Sequence, residues 1–155
     1  MRRVVWLPAI VLVLSVGTVQ AAPRVPVVTG DYAYEYLSHV SYVDIVGRAD
    51  DPARGRFSYS GEFATFGGPV TCVSVVGADA WLSGPITRGD AGIEGVDAWA
   101  IRLHDGGTPG RTGDTAITFL DTADGARALC ESGTSDYDAY LQPVIEGNLV
   151  VHGGR

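Results

Sequence analysis

With 155 residues, 18 acidic side chains against 11 basic ones and a formal net charge of −7, the chain is one domain's worth of protein. It lacks the basic face that nucleic acid or an anionic membrane surface demands, so neither is expected as a partner. Every one of the 11 cations is arginine; the missing lysine, beside abundant Gly, Ala, Val and Asp, reads as the codon bias of a GC-rich bacterial genome.

Residues 1–21 carry the pattern of a secretory signal peptide. Arg2-Arg3 make a basic start, Val4 to Val16 an almost unbroken apolar run, and Val19-Gln20-Ala21 a small-x-small cleavage site. About 13 apolar residues fall short of the ~20 that span a bilayer, and no cysteine follows the cut to take a lipid. The mature chain is expected to start near Ala22 and to be exported, soluble, monomeric and without membrane insertion. Loss of Arg2 and Arg3 leaves 9 basic against 18 acidic side chains, a net charge near −9. The remaining length suffices to bury roughly two thirds of the unfolded surface.

Residues 22–30 read as an extended segment, because Pro23 and Pro26 discourage helix. From 31 to 155 the sequence reads as one β-barrel-like domain with a hydrophobic period of two. Tyr32, Tyr34 and Tyr36 alternate, then Val40, Tyr42 and Val46, then Phe57, Tyr59 and Phe63. Val70 to Val76, Ala80 to Thr87, Val96 to Leu103, Ala116 to Leu120 and Asn148 to His152 complete seven or eight short strands. Glycines such as Gly67-Gly68, Gly77 and Gly106-Gly107 fall between the runs as turn residues, and Gly77-Ala78 marks a tight hairpin. The connections are too short for crossover helices, so the sheet is expected to be antiparallel, a meander barrel or flattened sandwich of about eight strands. Ala123 to Leu129 is the single helix candidate, and residues 131–142 read as a loop.

Cys72 and Cys130 are the only cysteines, and an even pair in an exported chain predicts a disulfide. They lack the spacing of a redox or zinc motif.

Four ordered segments resemble a widespread family of exported bacterial β-proteins. They are Arg54-Gly55-Arg56-Phe57-Ser58-Tyr59; Val70 to Gly77 leading into Ala80-Trp81-Leu82-Ser83-Gly84; Leu103 to Gly110 followed by Asp114; and Glu146 to His152. Ala78 departs from the Asn that the family usually carries there, and the segment after Cys130 is longer and more acidic. The resemblance implies a compact barrel-like module and brings no activity or cofactor with it.

Several residues could carry chemistry. Asp105 and Asp114 bracket a Gly-rich loop able to fold around a calcium ion, although the acids lack EF-hand spacing and equally cap a loop's own backbone. His104 beside Asp105 could be an oriented base with Ser74 or Ser83 as nucleophile, but no nucleophile elbow is present. His39, His104 and His152 form no zinc spacing. Asp50-Asp51, and Asp136 with Asp138 near Tyr137 and Tyr140, are possible carboxylate pairs for glycoside hydrolysis, set in segments that read as solvated loops. Tyr32, Tyr34, Tyr36 and Tyr42 could stack sugars or pack a core. No catalytic centre and no cofactor is expected. The leading expectation is a secreted, non-catalytic structural or interaction module of a bacterial cell envelope or exterior. A barrel binding an apolar or carbohydrate ligand in its mouth is second, and a hydrolase third. If Trp81, Trp99, Phe57 and Leu103 all fill the interior, no pocket remains there.

Overall fold

Ten strands and one helix account for most of residues 25–107 and 112–153, which are the residues that the computed structural model describes. Residues 1–21, expected from the sequence to be a signal peptide, and residues 108–111, between Asp105 and Asp114, lie outside them. The strands are β1 (Val27–Tyr36), β2 (His39–Arg48), β3 (Arg56–Ser60), β4 (Thr65–Pro69), β5 (Cys72–Val76), β6 (Asp79–Pro85), β7 (Arg88–Asp90), β8 (Ala98–His104), β9 (Thr115–Asp121) and β10 (Gln142–His152), with α1 (Ala123–Ser132) between the last two. All pairings are antiparallel, in the order β5-β6-β8-β9-β10-β1-β2-β3-β4-β7. The extended segment expected at 22–30 enters β1 at Val27.

The two edges of this order are one hairpin. Thr65 pairs with Asp90 in β4–β7, and Cys72, seven residues on, pairs with Ser83, seven residues back, in β5–β6. The register is therefore unbroken from 65 to 90, and β4 runs on into β5 as β6 runs on into β7. Amide hydrogen bonds from Thr71 to Ser83 O (2.8 Å) and from Thr87 to Gly67 O (2.9 Å) hold the arms on either side of the bend. Counted by arms, the curled sheet holds eight strands in meander order, as the sequence pattern predicts. Gly67 and Gly68 lie within β4 rather than in a turn. The physical reason is close approach, since a Cβ on Gly68 would stand 2.0 Å from Pro85 O.

Side chains on the concave face make one apolar core. At its centre the rings of Phe57 and Trp99 stack with centroids 3.9 Å apart, and Leu103, Ile101, Ile45 and Leu82 close around them. Trp99, Ile101 and Leu103 share the inward face of β8, as their alternation requires. Trp81 is buried on the other face. Its ring lies 4.4 Å beneath the Arg102 guanidinium and its Nε1 donates to Thr134 O at 3.0 Å.

The helix covers that outer face. Thr122 Oγ1 caps its start by accepting from Gly125 N, and Gly133 ends it at φ 55°. Ala126 and Cys130, four residues apart, face the sheet, where Ala98 and Ala100 leave room for close packing. The Cys72–Cys130 disulfide joins helix to β5 across a Cα–Cα distance of 6.3 Å. Ten residues make a marginal helix alone, so packing and this covalent tie hold it. The helix extends three residues beyond Leu129, and a 3-10 turn at Asp138–Tyr140 precedes β10, so residues 131–142 are more structured than a loop.

Candidate functional site

Asp105 and Asp114 are taken up by backbone amides. Asp105 Oδ1 accepts from Gly107 N at 2.8 Å and Oδ2 from Val151 N at 2.8 Å. Asp114, 1% exposed, accepts from Gly106 N at 2.9 Å and from Leu149 N at 3.2 Å. Each carboxylate thus fixes its own loop and latches that loop onto β10. Among the described residues no group of three or more His, Cys, Asp and Glu side chains is placed to hold a metal ion.

His104 does not turn to Asp105. Its Nδ1 meets Asp79 Oδ1 at 2.7 Å, because β6 and β8 pair Asp79 directly with His104. Arg102, 4% exposed, bridges Asp79 and Asp138, each at 3.0 Å, and also donates to Leu103 O. Partial burial pushes the Asp79 carboxyl up, but hydrogen bonds from His104 and Arg102 outweigh it and hold the group below its ordinary value. Ser83 lies four residues along β6 from Asp79, and Ser74 pairs with Trp81, so the register brings neither serine to His104. The network ties the segment after α1 to the sheet.

The remaining candidates disperse. Asp50 is paired with Arg48 and Asp51 with Arg54, so that pair is salt-bridged and exposed. The Arg48 guanidinium holds the Asp50 carboxyl below its usual value. Asp138 goes to Arg102, and Tyr137 packs on Phe119 at 4.7 Å. Tyr32 and Tyr34 are in the core, whereas Tyr36 and Tyr42 are exposed, so the four tyrosines form no single platform. His152 is exposed at the end of β10.

One end of the curled sheet holds an apolar cavity of about 270 Å³. Phe66, Ala91, Thr118 and Leu120 line its walls together with Ser41 and Tyr59, and the Thr118 hydroxyl is shielded. His39, Glu62, Phe63 and Ile93 form the lip; Phe63 and Ile93 are 74% and 55% exposed. His39 Nδ1 meets Glu62 Oε2 at 2.5 Å and its ring meets the Phe63 ring edge-on at 4.6 Å. Ser41 Oγ and Tyr59 OH are 2.8 Å apart. Tyr34 OH accepts the Thr118 amide at 3.2 Å and interacts with the Thr118 and Ser41 side chains, while burial pushes its pKa up to about 12. Beside this end the β1–β2 turn places Leu37 and Ser38 at φ 52° and 67°. Such turns favour Asn-Gly, so an exposed leucine in the left-handed region is locally strained.

Sequence reasoning missed Ser41, Phe63, Thr118 and Ile93 as a group. The available signal was a hydroxyl at an inward strand position, legible only once the inward faces of β2 and β9 are known.

No family model matches the chain, and no curated protein and no solved structure matches it. Among the described residues no helix is long and apolar enough to cross a membrane.

Proposed function

We propose that the chain is a secreted, non-catalytic binding module of a bacterial cell exterior that takes a small, largely apolar ligand in the barrel mouth. One observation carries the reading: an apolar cavity whose lip exposes Phe63 and Ile93 while its wall carries the hydrogen-bonded hydroxyls of Ser41 and Tyr59. Ligand pockets combine apolar walls with a few convergent polar groups in this way, and 270 Å³ suits a ligand near the small end of the range. Phe57, Trp99 and Leu103 fill the middle of the sheet, but Trp81 does not, and the cavity lies beyond the filled layer. The separation of Ser74 and Ser83 from His104 supports a role without catalysis. The residues 1–21, the disulfide and the resemblance to exported β-modules support export.

Amide chemical shifts followed during titration with small aromatic and aliphatic molecules test the binding role. Saturable shifts confined to residues 39–41, 59–66, 91–93 and 118–120 are expected. Shifts that do not saturate, or that map to another face, overturn it.

A further inference from the structure

We propose that the mouth end docks a cationic peptide segment of a partner protein, whose single apolar side chain fills the cavity while flanking arginines or lysines meet the acids around it. This rests on the mouth being a binding site and names what carries the small apolar group. An apolar cavity of about 150 Å³ holds benzene, so one of about 270 Å³ accommodates a single aromatic or aliphatic side chain and little more. What surrounds the opening is itself apolar. Leu37 and Phe63 are each 74% exposed and Ile93 is 55% exposed, one on each of three strand connections. Phe63 and Ile93 line the cavity, and the ring of His39, which pairs with Tyr36 to close the Leu37 turn, lies against the Phe63 ring. Leu37 is held at φ 52°, where asparagine or glycine would sit with less strain, so the fold keeps an exposed leucine there at a cost. A pocket ringed by apolar contacts is how an interface takes the anchor side chain of its partner.

Charge identifies the flanks of that partner. The segments that form this end, 36–41, 59–66, 90–97 and 118–121, contain Glu62, Asp90, Glu94, Asp97 and Asp121, all exposed, and no arginine or lysine. Glu62 is engaged by His39, whereas the other four carboxylates have no ion-pair partner among the described residues. Asp90 and Asp121 accept amides of their own loops, Gly92 N and Thr122 N, which leaves their charge unbalanced. Asp97 N donates to Asp121 O at 3.3 Å, so two of these acids meet just past Leu120 on the cavity wall. Arg88 on β7 lines a separate groove with Ser58 and Thr65. A rim of this sign repels an anionic lipid surface or an acidic partner and draws a cationic one.

Four synthetic probes separate the possibilities by NMR titration: a capped heptapeptide Gly-Arg-Gly-Phe-Gly-Arg-Gly, its twin with Glu for both Arg, its twin with Ala for Phe, and N-acetylphenylalanine amide. The cationic peptide is expected to shift the mouth amides and to bind about tenfold more tightly than its acidic twin, the worth of two exposed ion pairs. That gap should narrow as salt rises from about 20 to about 300 mM, and the alanine twin should leave the mouth unshifted. Leu37→Asn suits its turn better, so it should be at least as stable by urea midpoint while weakening the cationic peptide about fivefold. Glu94→Gln combined with Asp97→Asn should reduce the preference over the acidic twin and leave N-acetylphenylalanine amide unchanged. Equal affinities for the cationic and acidic peptides, or indifference to Leu37→Asn, overturn the peptide assignment, with the mouth itself standing if N-acetylphenylalanine amide still shifts its amides. Sedimentation of the protein with phosphatidylcholine vesicles, lost in Leu37→Asn, overturns it as well, by giving the apolar tips to a lipid surface. If no probe shifts the mouth amides, the binding site and its partner fall together.

Discussion

Gly84 stands against the backbone of Pro69 so closely that a Cβ at Gly84 would lie 2.0 Å from Pro69 O. The contact falls at the bend of the 65–90 hairpin, where β4 passes into β5 and β6 into β7. Both partners are backbone, so neither can rotate away. Gly84→Ala is expected to destabilise the protein by about 3 kcal/mol, the upper end for overpacking. Gly77→Ala provides the contrast. Gly77 has φ 64° but nothing within 4 Å, so its substitution meets only the left-handed penalty of about 1 kcal/mol. Urea midpoints of the two variants rank them, and equal losses would remove the close-approach account of the bend.

Asp114 serves two amides from opposite sides, Gly106 N in its loop and Leu149 N in β10. Asp114→Asn keeps the shape but offers one oxygen where the native carboxylate offers two, so an amide donor must face another donor. Hydrogen bonds to a charged acceptor contribute about 1.5–3 kcal/mol each, and leaving a buried amide unmet costs a similar amount. A loss of about 2–3 kcal/mol is expected, together with faster hydrogen exchange at Leu149. Unchanged stability would show that the latch contributes nothing.

The strand count and the faces of β8 follow from period-two alternation, because Trp99, Ile101 and Leu103 have only the core to pack against on that side. On β2 the same rule misleads. Val40, Tyr42 and Val46 alternate on the outward face, while Ser41, Val43 and Ile45 point to the core, and both sets are rich in β-branched or aromatic side chains. Trp81 misleads for a related reason, since the helix and the segment after it bury the outer face of β6 as thoroughly as the core buries the inner. Thr118 was hidden by the same layering. Ile117 and Phe119 flank it on the outer face, where Tyr137 covers Phe119, so the apolar face of β9 looks like the core face in sequence. The pairing of Asp79 with His104 depends on register across 25 residues, which no local pattern reports.

Asp79 makes stability sensitive to acid. Its folded-state pKa lies below the unfolded value, so its contribution is complete above the unfolded pKa of about 3.9 and is lost as pH falls through the folded one. The urea midpoint of the native protein should therefore fall below about pH 4. In Asp79→Asn the midpoint should already be lower at pH 7, reflecting a loss of about 1–2 kcal/mol in unfolding free energy from the weakened hydrogen bonds to Arg102 and His104, with a shallower fall in acid. Parallel midpoint curves for the two proteins would show that Asp79 is not among the groups responsible.

The disulfide closes a span of 58 residues, which restricts the unfolded chain by about 4 kcal/mol on the loop-entropy estimate. Thiol titration of denatured, unreduced protein should find no free thiol, and reduction should lower the urea midpoint while strand content persists in the surviving fold. The same preparation tests the expected cleavage of residues 1–21, for which the intact mass should correspond to a chain that begins at Ala22. A mass retaining Trp6 to Leu14 would contradict a cleaved signal peptide.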